Sequence, residues 1–381
     1  MMLVKPEVEN FAKIKVVGVG GGGSNAIATM VEDERVQGVD FIVVNTDAQH
    51  LAMSPAETKV QIGTQLTNGL GSGGDPSVGK KSAEEDVDLI HQNLAGSDMV
   101  FITAGMGGGT GTGAAPIVAD IARGQGALTV GVVTKPFHFE GTKRMMNAEE
   151  GIMNLKDNVD ALIIIPNQRL LEITDAQVSL PQALKLADSV LADSVRGISD
   201  IIVMPGLINR DFADVRTIMR DAGSAIMGIG KASGEERAVE AARAAIQSPL
   251  LETSIEGAKG VLINISGGTN LTLREVDIAS QVVSEAADPD ATIIFGAMID
   301  DELEGDVKVT VIATGFDEYQ QRSLTQIKDS IRHRSRFEEE KKTEVEAPVE
   351  KKNEPEVQDS YDLDMGADVD ELEKPAFLRR R

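Results

Sequence analysis

The residues best suited to chemistry are Gly107, Gly108, Gly109, Thr110, Gly111, Thr112 and Gly113. They follow the apolar run 99–102 and a turn at 103–106, and they lead into 114–122, where apolar residues fall at helical spacing. Stripping side chains from a strand-to-helix loop lets backbone N–H groups close around an anion at the helix N-terminus. The two threonines keep hydroxyls that can donate to phosphate oxygens. A flexible linker is the plain alternative, but linkers are not framed by a buried strand and a helix.

Other stretches point the same way. A short β run over 13–19 closes on Gly18, Gly20 and Gly23, a Gly-x-Gly-x-x-Gly spacing ahead of a helix expected over 26–31. Alone, this spacing suits NAD, FAD or any nucleotide. The strand expected at 41–44 ends in Asn45, Thr46 and Asp47, and open α/β sheets meet their ligands at such strand ends. Asp47 would suit a ribose hydroxyl. A third Gly-rich turn covers 70–76, and 74–81 comes near the P-loop pattern. Lys81 stands where the Ser/Thr for Mg²⁺ belongs and no buried strand precedes it, so a loop and cap before a helix over 77–94 is the better reading.

After a buried strand at 127–133 come Glu140 and Arg144. They could form a surface pair at i, i+4, or supply a ribose carboxylate and a phosphate arginine at the end of that strand. Asp211 and Asp214 read as the N-cap and a first-turn acid of a helix, which does not exclude a catalytic role.

These residues need elements to hold them. Strand and helix alternate from residue 13 to about 167, which predicts an α/β fold: a doubly wound nucleotide-binding domain over 13–178, after a flexible N-terminus at 1–12. Long, little-broken helical spacing over 179–205 predicts a central helix between two domains. Residues 206–318 read as a smaller α+β domain, with helices at 235–247 and 273–287 and strands at 260–265, 292–296 and 307–313. Residues 319–371 read as a disordered linker, because 335–370 are charged, Pro-punctuated and poor in large apolar residues. Residues 372–381 regain hydrophobic side chains and end basic, as a partner-binding peptide would.

Composition narrows the function further. The net charge is −24, of which −21 falls on residues 1–318. A body this acidic disfavours nucleic acid and anionic membranes as general partners and needs a Mg²⁺-type counterion beside any polyphosphate. With no Trp and 3% aromatics, stacking platforms for single strands are missing. Cysteine is absent and only four histidines occur, far apart (His50, His91, His138 and His333), so no protein-built metal site is expected. No run of eighteen apolar residues and no signal-peptide pattern appears, so neither membrane insertion nor export is expected. The expected setting is the cytoplasm.

Three motifs taken together resemble the tubulin/FtsZ family of GTPases: Gly-Gly-Gly-Thr-Gly-Thr-Gly at 107–113, Asn209-x-Asp211-Phe212-Ala213-Asp214, and Pro375-Ala376-Phe377-Leu378-Arg379. The last two separate its bacterial cell-division branch from the tubulins. The resemblance implies GTP or GDP, bound with Mg²⁺, held by Gly21, Gly22, Gly23, Asn25, Asn45 and Asp47. Gly71, Ser72 and Gly73 would add contacts, and Gly107, Gly108, Gly109, Thr110, Gly111 and Thr112 would hold phosphates. Glu140 would take the ribose, Arg144 would lie near the phosphates and Asn167 near base and sugar. Asp188 and Ser189 stand where the family places a residue pair on guanine, and Leu184 stands where it usually has a stacking Phe.

The implied activity is assembly-dependent GTP hydrolysis by a head-to-tail homopolymer that forms the division ring at midcell. Asn209, Asp211 and Asp214 of one subunit would complete the site of the next. Pro375, Phe377, Leu378 and Arg379 would bind membrane-tethering and regulatory division proteins. Two other classes compete. An NAD-dependent oxidoreductase leaves 107–113 and the tail unexplained and has no His or Tyr placed for hydride chemistry. A non-hydrolysing scaffold has no need for Asn209, Asp211 and Asp214.

Overall fold

Strands Ile14–Val19 (β1), Asp40–Asn45 (β2), Thr58–Gln61 (β3), Met99–Gly105 (β4), Leu128–Lys135 (β5) and Ala161–Pro166 (β6) pair in parallel in the order β3-β2-β1-β4-β5-β6. In the computed structural model the sheet continues through Gly223–Ser233 (β7), Gly260–Gly267 (β8), Thr292–Ile299 (β9) and Asp306–Thr314 (β10) in the order β7-β10-β8-β9. The structure describes residues 12–32, 36–173, 178–203, 211–251, 253–300 and 303–316. Contacts divide the chain into units 1–323 and 324–381, so every described residue lies in the first. Asn209, the linker and Pro375, Phe377, Leu378 and Arg379 lie outside the described residues.

Helices cover both faces of the parallel half. In chain order they are Gly20–Glu32 (α1), Ala48–Met53 (α2), Thr64–Thr67 (α3), Pro76–Glu85 (α4), Val87–Leu94 (α5), Thr110–Gly124 (α6), Thr142–Lys156 (α7) and Asn167–Ile173 (α8). Strands buried on both faces read as continuous apolar runs, and β4 and β5 are such runs, buried along almost their whole length. One core layer joins β1, β4 and β5 to α1 and to the long helix Leu180–Val203 (α9); the other joins the opposite strand faces to α6. A third core lies between β8 and β10 and the helices Arg237–Ile246 (α11) and Leu273–Ala286 (α12). Before β7 comes the short helix Phe212–Met219 (α10).

Two expectations from the sequence are corrected. The helix expected from residue 26 begins at Gly20, whose φ of +71° turns the chain straight out of β1. The glycines are therefore the first turns of α1 rather than a loop before it. The helix expected over 77–94 breaks at Asp86, whose carboxylate accepts the Gly63 N–H at 2.7 Å and pulls the backbone out of register. A strand that the sequence did not announce, β7, pairs parallel with β6 and antiparallel with β10 and so makes the sheet continuous.

Candidate functional site

Strand order reverses between β1 and β4, since β2 and β3 extend one way from β1 and β5 and β6 the other way from β4. Ligands of open α/β sheets bind in the crevice beyond the strands' carboxyl ends at such a switch point. A cavity of about 280 Å³ lies there. Its walls include Gly21 and Gly22 from the start of α1, Asn45 and Asp47 after β2, Gly105 at the end of β4 and Gly108, Gly109, Thr110 and Gly111 from the loop entering α6. Gly71, Ser72 and Gly73 close one side, and Arg144 reaches in from α7. Two helix N-termini thus converge on one hollow, which concentrates unpaired N–H groups and positive dipole ends for an anion.

Missing side chains are what permit the convergence. A Cβ on Gly20 would stand 2.6 Å from the Gly111 nitrogen, so α1 and α6 approach backbone to backbone. Gly107 has a φ of +98°, and a Cβ there would press on the Arg144 carbonyl oxygen at 2.7 Å. Hydroxyls line the floor. Thr110 Oγ1 is buried and lies 2.7 Å from Thr46 Oγ1 and 3.0 Å from Ser72 Oγ. These hydroxyls can each turn a hydrogen toward a phosphate oxygen.

Several expected residues stand around the cavity rather than in its wall. Thr112 accepts the Gly107 N–H at 2.9 Å, bracing the loop from behind. Gly23 packs against β4, where a Cβ would collide with the Thr103 carbonyl oxygen. Glu140 accepts the Phe137 N–H at 2.9 Å and pairs with Arg144, and so aims the guanidinium. Asp47 lines the cavity, yet its carboxylate accepts the N–H groups of Gln49 and His50 as the cap of α2, which leaves less of it for a ribose. Asn25 bonds His50 at 3.0 Å.

Asn167 is buried, and its Oδ1 has no hydrogen-bond partner among the described residues. A buried acceptor without a donor costs on the order of 1–3 kcal/mol, so this one suits a ligand's N–H or O–H. On α9, which packs against α1, Asp188 is half-buried and Leu184 exposed. Burial pushes the Asp188 carboxyl up to about 7. A carboxylate in that condition gains most from a donor-bearing ligand.

Thr46, which the sequence placed at the ligand end of β2, lines the cavity with His50 and Gly105, which were not singled out as contacts. The strand-end rule could have found Gly105. Nothing local marks His50, which reaches the cavity only because α2 folds back across the end of β2. A larger cleft of about 470 Å³ lies between α4, α6 and α7, behind the glycine loop. It holds none of the convergent N–H groups, so the smaller cavity is the chemical site. Among the described residues no three His, Asp or Glu side chains group to hold a metal ion.

Asp211 caps α10 by accepting the Ala213 N–H at 3.2 Å, and Asp214 lies in its first turn. Arg216 of the same helix donates to the Gly126 carbonyl at 3.4 Å, just before β5 begins. Hence α10 lies at the amino ends of the parallel strands, whereas the cavity lies at their carboxyl ends. The length of β5 separates them, about 23 Å for eight residues.

Comparison with known proteins identifies the family and the fold. Residues 13–175 match the Tubulin/FtsZ family, GTPase domain, and residues 223–317 match the FtsZ family, C-terminal domain. A solved FtsZ dimer from M. jannaschii is 48% identical, with 81% of this chain and 89% of that one covered and a TM-score of 0.78. CetZ2 from Haloferax volcanii, solved as a GTPgS-bound protofilament, shares the fold at 21% identity, covering 84% of this chain and 99% of that one with a TM-score of 0.66. With the switch-point cavity, both domain matches and the extent of that identity, the chain belongs to the FtsZ branch of the tubulin/FtsZ family of GTPases.

Proposed function

We propose that this GTPase works as a head-to-tail homopolymer in which α10 of one subunit completes the nucleotide site of the next. The observation that carries this reading is the separation of Asp211 and Asp214 from the cavity by the length of β5. Carboxylates at one pole cannot act on a phosphate bound at the other within one chain, but stacking copies along the strand direction brings the two poles together. Such a contact is heterologous and does not close, so it generates filaments. Leu70, Phe139 and Met146, close in sequence to Gly71 and Arg144 of the cavity wall, are 84%, 63% and 64% exposed, apolar area that a neighbouring copy would cover.

In this mechanism the N-termini of α1 and α6, the Thr110 hydroxyl and Arg144 bind the phosphates, while Asn167 and Asp188 take the sugar and base edges. Bound Mg²⁺ would neutralise phosphate charge that the acidic body would otherwise repel. Asp211 and Asp214 from the next subunit, with Asn209, orient and polarise the attacking water. The setting of this activity is the division ring at midcell in the cytoplasm. The peptide holding Pro375, Phe377, Leu378 and Arg379 recruits membrane-tethering and regulatory division proteins.

Phosphate release measured against protein concentration, with GTP and Mg²⁺, tests the shared site. The expected result is a threshold concentration below which turnover vanishes. Asp214→Ala should bind GTP and assemble, yet hydrolyse on the order of 10²-fold more slowly. Turnover strictly proportional to protein would place every catalytic group in one chain and overturn the proposal.

A further inference from the structure

His50 lines the nucleotide cavity, and none of the roles assigned above uses it. The Asp47 cap fixes the start of its helix, accepting N–H groups from Gln49 at 2.9 Å and His50 at 3.1 Å. The imidazole is thereby set against α1. Its Nε2 lies 3.0 Å from Asn25 Oδ1, and a Cβ built on Gly21 would stand 3.5 Å from both Nδ1 and Cε1. An amide oxygen only accepts, so Nε2 carries the hydrogen of this bond. The ring so held stands beside the first turn of α1, where Gly21 and Gly22 offer their N–H groups to an anion.

We propose that His50 is a positioning residue of the nucleotide site: Nε2 donates to Asn25 Oδ1 and holds that amide beside the first turn of α1. The inference rests on the nucleotide reading of the cavity. The charged groups on the surrounding elements are few. Asp47 caps the same helix, and Arg144, paired with Glu140, faces the cavity from α7. Lys59 on β3 donates to the Ala52 carbonyl at 3.2 Å. Asp40 lies at the far end of β2, and α1 carries no charged residue before Glu32.

The test is the GDP affinity of the full chain for wild type, His50→Gln and His50→Ala. Glutamine keeps an N–H for Asn25, so His50→Gln should bind within about twofold of wild type, whereas His50→Ala, which frees the Asn25 amide, should bind about fivefold more weakly. Equal binding by the two variants overturns the positioning of Asn25. Failure of wild type to bind GDP overturns the nucleotide reading itself, and this inference with it.

Discussion

Asp188 is a half-buried carboxylate on α9. Burial raises it from the ordinary 3.8 to about 7. The folded apoprotein therefore binds a proton that the unfolded chain has released, so folding stability falls as pH rises from about 4 to about 7. Asp188→Asn removes that loss, and its thermal midpoint without nucleotide should exceed that of wild type at pH 8 while matching it near pH 4. A guanine edge donating to the carboxylate favours the charged form, so binding should expel the proton. GDP affinity of wild type should then fall as pH drops below about 7, by at most tenfold per pH unit, and Asp188→Asn should bind weakly at every pH without that slope. Titration calorimetry in two buffers of different ionisation enthalpy reads the released proton directly. An unchanged pH slope in Asp188→Asn would remove Asp188 from the base contact.

Among the elements, α11 and α12 are clamped by charge as well as by their shared core. Arg237 is buried and donates from Nε to Glu275 Oε1 at 2.6 Å and from Nη2 to Oε2 at 3.3 Å, while Nη1 reaches Asn270 Oδ1 at 3.2 Å. Glu275 also closes the capping box of α12, accepting the Thr272 N–H at 2.8 Å. The Arg237 hydrogen bond foremost, then the Thr272 cap, hold the Glu275 carboxyl down to about 2. A depressed carboxyl contributes stability above its unfolded pKa and loses it as pH falls from about 4.5 toward 2. Glu275→Gln should cost about 2 kcal/mol in urea unfolding at pH 7 and much less at pH 2.5. Equal losses at both pH values would mean that packing, not charge, holds the clamp. In the sequence, Thr272-x-x-Glu275 is legible as a helix start, but the partner 38 residues earlier is not.

At the scale of the molecule, one continuous sheet carries two chemically different ends. α9 spans behind it and is tied to the far half by ions: Arg196 reaches Asp300 at 3.0 Å and Asp193 pairs with Lys308 at 3.2 Å, while Asp200 on the same helix pairs with Arg196 at 3.1 Å. Burial pushes Asp200 up to about 6 even against the opposing pull of Arg196. These ties join the helix carrying Asp188 to strands beyond β7. The proposed polarity of assembly gives a mixing test. Wild-type chain held below its threshold should begin to release phosphate when Asp214→Ala chain is added, because the variant still offers its cavity to a wild-type α10. Continued silence of the mixture above the combined threshold would rule out a site shared between subunits.

Local sequence determined much of this protein. Apolar runs of strand length, glycine loops after them and helical spacing between them specify parallel strands and the helices that cover them, because these signals depend on neighbours within a few residues. The 107–113 loop marked the anion site for the same reason: only a side-chain-free backbone closes on phosphate at a helix start. Tertiary structure decided what depends on distant chain segments. Pairing of β6 with β7 merged the strands into one sheet, and the Gly63–Asp86 bond broke a helix whose own sequence reads as unbroken. The same long-range packing carried His50 to the cavity, left the buried Asn167 oxygen without a partner among the described residues, and set Asp211 and Asp214 a strand's length from the residues they resemble partners of. Burial and approach between remote segments are properties of the packed whole, and no window of sequence carries them.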